Sequence, residues 1–591
     1  MIKIRKHSPS RLKIVSLPLF AGVLIANCVV SIGSPAFAGD GTEGFVLQGV
    51  EIQDEAGISV SSAGDVNGDG IDDLIVGAPS ANPQNKFAAG ASYVVFGRTT
   101  GFPALFELLS LFPVEGGDGS EGFVLKGVDE DDESGVSVSS AGDVNGDGID
   151  DLIIGAFKAD PNGQSDAGES YVVFGRTTGF PPSIELSSLF PAAGGDGSMG
   201  FVLKGIRGPD DWSGRSVSCA GDVNGDGIHD LIIGAGSADP HGFPGAGESY
   251  VVFGRMTGFP PSFELRSLRG SAGGDGSEGF VLKGIDPFDF AGTSVSGAGD
   301  VNGDGIDDLI IGADGADPGG RSSAGETYVV FGRTTGFPAD LELRRLLAPA
   351  GGDGTEGFVL KGIDGLAPGD FGDSSGDKVS DAGDVNADGI EDFIIGTFAG
   401  SPNGKRDAGE SYLVFGRATG YPVGFELRSL LPAAGGDGSE GFVLKGIDSN
   451  DFAGGSDRSG TSVSGAGDVN GDGTDDLIIG AFAADPDGLS SAGESYVVFG
   501  RTTGFPASFE LRSLLPTAGG DGSEGFVLEG IDAFDSSGVS VSGAGDINGD
   551  GIDDLIIGAY SAGPNTEGQA YVVFGRSTGF PAVFELSNLL P

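Results

Sequence analysis

The sequence predicts an all-β protein, a seven-bladed β-propeller. Three observations predict it. One phrase of roughly 80 residues recurs seven times along the chain. Each copy breaks into short β-branched or aromatic runs, such as SVSGAG, DLIIGA, YVVFG and GFVLKG, bounded by Gly, Asp, Asn and Pro. None of these runs is long enough to show a helical apolar face.

The repeat fixes the organisation. Its Asp-x-Asn-x-Asp core begins at Asp65, Asp143, Asp222, Asp300, Asp384, Asp468 and Asp546. The units are read as 40–117, 118–195, 196–274, 275–352, 353–436, 437–520 and 521–591, one per blade, with no linker and no second domain. Four strands and their turns make a small antiparallel sheet with two faces to bury. Seven such sheets stacked radially cover one another's faces and leave only short edges. The strand GFVLQG at 44–49 is cut off from a preceding unit, so it is expected to close the ring on the last blade. Seven Tyr from Tyr93 to Tyr571 and seven Phe from Phe96 to Phe574 hold fixed repeat positions and read as blade-to-blade packing.

The amino terminus reads as an export signal over residues 1–38. Five basic residues precede an apolar stretch, which ends at Ala36-Phe37-Ala38. The expected location is secreted, extracellular or at the cell surface, with the periplasm as the alternative. No later run approaches the ~20 apolar residues that span a bilayer. The remaining Cys219 cannot form an intrachain disulfide once Cys28 is removed, and reads as a small buried side chain.

Composition excludes several classes. Gly is 113 of 591 residues but has no three-residue period, so the chain is not collagen-like. Two Cys cannot staple a chain of this length. Its 86 acidic residues against 32 basic ones give a net charge of −54, which repels nucleic acid. Three His offer almost nothing for His-based acid–base chemistry, and no Ser-His-Asp set can be assembled from them. The chain is therefore expected not to be an enzyme.

The recurring loop reads as a calcium site. In the first copy, oxygen ligands stand at Asp65, Asn67, Asp69, the Ile71 carbonyl and Asp73, with Gly70 at the sharp turn. This is EF-hand-like spacing, built from hard oxygen ligands without His or Cys. The later copies place the same set at Asp143, Asn145, Asp147, Ile149 and Asp151, then at Asp222, Asn224, Asp226, Ile228 and Asp230. The fourth and fifth use Asp300, Asn302, Asp304, Ile306 and Asp308, and Asp384, Asn386, Asp388, Ile390 and Asp392. The last two use Asp468, Asn470, Asp472, Thr474 and Asp476, and Asp546, Asn548, Asp550, Ile552 and Asp554. Up to seven structural Ca²⁺ ions are expected, since carboxylates crowded into one turn repel unless a cation lies among them. The eighth position varies (Asp72, His229, Glu391) and is expected to face solvent, while the ninth is always Asp and is expected to face the metal. The bidentate Glu of an EF-hand is missing, because position 12 is Val76 or Ile.

The Gly-x-Ser-Val-Ser strand, the GDVNGDGIDDLI loop, Gly77-Ala78-Pro79 and YVVFG together resemble the FG-GAP repeats of integrin alpha chains. The resemblance covers about residues 40–591 and is nearest to bacterial secreted FG-GAP proteins. It implies a seven-bladed propeller with calcium on loops between the first two strands of a blade, and a role in adhesion or extracellular recognition. The implied partner is a protein or glycan outside the cell, bound by a monomeric propeller. The chain departs from the family in its longer units, in an extra FELRSL segment, and in Ala387, which replaces a loop Gly. The likeness extends to the propeller of glycosylphosphatidylinositol-specific phospholipase D, whose separate metal-rich catalytic region has no counterpart in these residues. A propeller serving such a hydrolase, or a surface-matrix protein, is the alternative reading. Inserts at 365–378 and 449–460, in neighbouring units, are candidate recognition loops. His229 and His241 read as solvent residues, and Trp212 as packed.

Overall fold

The computed structural model describes residues 39–591, except residue 209, residues 366–371 and residues 449–459. The export signal read over 1–38 lies outside the described residues. So do residues 366–371 of the first insert and nearly all of the second.

Seven five-stranded sheets form a closed propeller. The first elements are β1 (Gly44–Gln48), β2 (Ser59–Gly64), β3 (Asp73–Ala78), β4 (Ala91–Val95), β5 (Leu105–Glu107) and β6 (Gly122–Lys126). In the first blade β2, β3, β4 and β6 lie side by side and antiparallel. β6 comes from the next sequence unit. A fifth, three-residue strand, Ser183–Glu185, then adds parallel to β6. The sheet is thus larger than the four-stranded antiparallel sheet expected, and it ends on a parallel pair. The FELRSL-type segments supply that fifth strand, and each runs straight into a one-turn 3₁₀ helix.

Every unit therefore gives three strands to its own blade and two to the preceding one. At the ring closure β1 pairs antiparallel with Gln569–Val573 of the last blade, and β5 pairs parallel with β1. The closing strand inferred from the sequence occupies that place.

Packing explains the residue choices. β3 reads DLIVGA and is buried at all six positions, because blades cover both of its faces. Each core cluster draws on two adjacent blades. Val60, Leu74, Val76 and Tyr93 of the first blade, for example, pack with Ile556 and Val572 of the last. The seven repeated Tyr are essentially unexposed within these interfaces. Gly77 marks the closest approach, since a Cβ there would stand 2.0 Å from the Gly135 carbonyl oxygen of the next loop.

An aromatic stack pins each fifth-strand segment to the blade behind it. Phe102 lies flat on Phe45 of β1 with ring centroids 4.2 Å apart, and the Arg98 guanidinium sits 4.4 Å from the Phe102 centroid. The same Arg–aromatic–Phe sandwich recurs in all seven blades, with Tyr421 as the middle ring in one of them.

The innermost strands are joined by a belt of serine hydroxyls. Ser59 Oγ accepts from the Val138 N–H of the next blade at 3.1 Å, and Ser540 Oγ accepts from the Val60 N–H across the closure at 3.1 Å. Ser137, Ser216, Ser294 and Ser462 do the same. Lys378 stands where the fifth blade would present its serine.

Candidate metal centre

Each acidic loop joins the first two strands of a blade, between Gly64 and Asp73 in the first copy. Its fold follows from its own side chains. Asp65 accepts the backbone N–H groups of Gly68, Asp69 and Gly70 at 2.8, 3.0 and 2.7 Å, which curls the turn around the first carboxylate. Asp69 accepts from the Ile71 N–H at 3.1 Å. Asp73 accepts from the Val66 N–H, the Asn67 amide and the Gly97 N–H. These bonds fold positions 1 to 9 into one turn, but the loop carboxylates are not among those that meet within 4.8 Å of one another in the described residues.

The ninth-position carboxylates are the unusual groups. Asp73, Asp151, Asp230, Asp308, Asp392, Asp476 and Asp554 are all 0 % exposed. Burial pushes the Asp73 carboxyl up to about 8, with repulsion from Asp69 and Asp65 adding to the effect. Asp392 is pushed up to about 9 for the same reasons. No cation of the protein pairs with Asp73 among the described residues. The donor set of carboxylates, an amide and a backbone carbonyl suits a hard cation that would supply this missing charge. The fifth loop carries one strain. Ala387 has φ +56°, a left-handed conformation that costs a non-Gly residue about 1–2 kcal/mol.

The eighth position does not face solvent as expected. Asp150 Oδ2 accepts from the Asp65 N–H of the preceding blade at 3.0 Å, and Asp72 closes the ring onto Asp546 at 3.0 Å. Asp307, Asp475 and Asp553 act alike. His229 takes the same role, its Nδ1 accepting from the Asp143 N–H at 2.9 Å. Its variability follows from needing only an acceptor of suitable reach. His241 likewise has a partner, Glu342 Oε1 at 2.9 Å. Trp212 is partly buried edge-on to Phe157. Cys219 lies on an inner strand, half-buried, and burial pushes its thiol up to about 12.

Sequence reasoning missed one acidic cluster. Among the described residues, Asp487, Glu529 and Glu585 place carboxylate oxygens within 4.8 Å of one another, and this triad could hold a metal ion. Burial and the two neighbouring carboxylates raise Glu529 to about 7. Other blades present donors at these places. Lys445 and Asn403 reach Glu510, and Lys126 reaches Glu185. The signal lay in the repeat itself, because GFVLK becomes GFVLE only at Glu529.

A ring of seven sheets with an acidic loop on every blade defines a repeat-built β-propeller. Its architecture is that of FG-GAP repeats in integrin alpha chains. FG-GAP repeats match at residues 56–95, 134–173, 214–252, 291–330, 459–498 and 537–573. The fifth blade lies outside these matches, yet it has the same strands. Integrin alpha-PS2 of Drosophila melanogaster is 29% identical over 203 residues, 33% of this chain and 12% of its own length. Integrin alpha pat-2 of Caenorhabditis elegans is 28% identical over 260 residues, 43% of this chain and 17% of its own. Phosphatidylinositol-glycan-specific phospholipase D of Rattus norvegicus is 27% identical over 212 residues, 35% of this chain and 21% of its own. The matches thus span about a fifth or less of these relatives.

The expectation of a non-enzyme is corrected by the last match. The chain is related at low identity to integrin-type adhesion proteins and to a phospholipase alike, so homology points to catalysis as a property to be tested. The His count behind that expectation carries no information about chemistry done by carboxylates, of which the chain has many. Among the described residues no helix is long and apolar enough to cross a membrane.

Proposed function

We propose that the chain is a secreted, calcium-stabilised propeller that acts as an extracellular recognition or adhesion module. The observation that carries this reading is the buried ninth-position Asp of all seven loops, a carboxylate with no ion pair among the described residues and further loop carboxylates in the same turn. The loops beginning at Asp65, Asp143, Asp222, Asp300, Asp384, Asp468 and Asp546 would each hold one Ca²⁺. At about 100 times its dissociation constant, each ion would stabilise the fold by ~2.7 kcal/mol. Kinship with integrin alpha chains supports a recognition role, with a protein or glycan as partner. Units 40–117 to 521–591 serve as one rigid platform.

The test is a thermal melt with and without chelator, followed by calcium add-back. A chelator-induced fall of more than 10 °C, reversed by calcium and not by magnesium, is expected. Equal melting temperatures would overturn the calcium reading. A glycan array and a cell-binding assay, each run with and without chelator, test recognition.

Kinship with phosphatidylinositol-glycan-specific phospholipase D favours a second reading, a propeller that serves phospholipid or glycan hydrolysis. Release of a glycosylphosphatidylinositol-anchored reporter by the purified chain would establish it.

A further inference from the structure

We infer that the outer edge between the second and third blades carries an anion site, built for a tetrahedral oxyanion such as a phosphate or sulfate monoester. Three arginines line one cavity of about 330 Å³ there: Arg207, Arg266 and Arg269. Asn162, Gln164 and Ser271 add polar groups to its wall. In a chain with 32 basic and 86 acidic residues, such convergence is against the trend of the whole surface.

The repeat shows that the cluster is a local departure, not a feature of the blade. Arg207 stands where the other six units carry an acid, namely Glu51, Asp129, Asp286, Asp364, Asp448 and Asp532. In the three other units that have an arginine at the Arg266 position, that acid pairs with it. Arg344 reaches Asp286 at 3.6 Å, Arg428 reaches Asp364 at 3.3 Å and Arg512 reaches Asp448 at 2.8 Å. In the third unit the acid has become Arg207, so Arg266 loses its counter-charge, and its guanidinium has no ion pair or hydrogen bond among the described residues. Arg269 stands where every other unit has Phe or Leu at the end of the 3₁₀ turn. Two independent positions, 207 and 269, have thus changed in the same unit, both towards a guanidinium, beside an arginine at 266 that three other units share.

Two buried carboxylates, Asp211 and Glu248, lie behind the arginines, and Asp211 feels the charge of both Arg207 and Arg269. Glu248 is 1 % exposed and holds one edge of Arg269 in an ion pair. Arg269 Nε is buried without a partner. Glu264, the one carboxylate in the wall, accepts from the Asn162 amide at 3.2 Å. Arg207 donates to the Asp239 carbonyl at 3.3 Å, which positions it without neutralising it. Guanidinium forks match the oxygens of phosphate and sulfate, and three forks offer more donors than a two-oxygen carboxylate can accept. The cavity suits the group together with one sugar-sized substituent.

The experiment is calorimetric titration of the full chain, in calcium, with methyl phosphate and with methyl sulfate. Saturable binding of at least one probe is expected, and which probe binds more tightly identifies the ester. Arg207→Asp and Arg269→Leu each install the residue that other blades carry, so both are expected to melt within a few degrees of the parent. Leu347 already coexists with Glu326 in the fourth unit, where Tyr328 donates to the glutamate as Tyr250 does to Glu248. Each variant is expected to weaken binding by at least tenfold, while Arg344→Ser on the next blade leaves it unchanged. Absence of binding by both probes, or equal binding by the parent and both variants, would overturn the site.

Discussion

At the scale of single residues, the loops show which positions are fixed by chemistry and which by reach. The ninth Asp is fixed because it accepts three donors in the interior of the turn. Its neighbour at position 8 caps an N–H of the adjacent blade, a role that Asp and His fill equally. Ala387 sits in a left-handed conformation that six other loops give to Gly. Ala387→Gly is expected to stabilise the protein by about 1 kcal/mol in urea unfolding. Asp132 illustrates a different cost. Burial raises its carboxyl to about 7, with Asp129, Glu169 and Asp160 adding repulsion. The unfolded chain would ionise it near pH 4. Its contribution is therefore present at acid pH and is lost as pH rises towards 7. Asp132→Asn is expected to raise the melting temperature at pH 8 and to leave it unchanged at pH 4. These residue-scale features were partly legible. The folding of the turn could be read directly from Asp-x-Asn-x-Asp-Gly, because its short side chains accept the N–H groups of the turn they stand in. The role of position 8 could not, because its partner lies about 85 residues away in the chain.

At the scale of strands, the inner belt and the fifth-strand segments do different jobs. The belt fixes neighbouring blades at the centre of the ring through hydroxyl-to-amide bonds. Lys378 interrupts it once. Lys378→Ser is expected to restore the missing link and to stabilise by about 1 kcal/mol, a gain that Lys378→Ala would not give. The central strands were legible, since DLIIGA and YVVFG are apolar, β-branched and bounded by turn residues. The fifth strand was not. Three residues of Leu-Phe-Glu carry no periodicity, and their place is set by tertiary contacts, chiefly the Phe45–Phe102 stack. Glu529 was visible in the sequence as a change from Lys, but its meaning required the structure to bring it beside Asp487 and Glu585.

At the scale of the whole molecule, the sevenfold count could be read from spacing alone, and the ring follows because each sheet has two faces to cover. Closure depends on β1. Deleting residues 39–50 is expected to lower the melting temperature by 10 °C or more, whereas deleting the exposed Gln84 and Asn85 would shift it far less. The acidic composition and the arginine-lined cavity also belong to this scale, because the cavity sets a local cluster of positive charge against a chain with 86 acidic and 32 basic residues.

The interleaving of units has a consequence for the order in which the protein can form. As the chain emerges from the ribosome, no blade can be completed by its own segment, because two of its strands belong to another unit. The first blade waits for Ser183–Glu185, and the last waits for the oldest part of the chain to return. Until Gln569–Val573 arrives, β1 has an unsatisfied edge and β5 adds no protection on that side. Vectorial synthesis therefore leaves one sticky seam open from the first minute to the last, and it is there that premature association between nascent copies would begin.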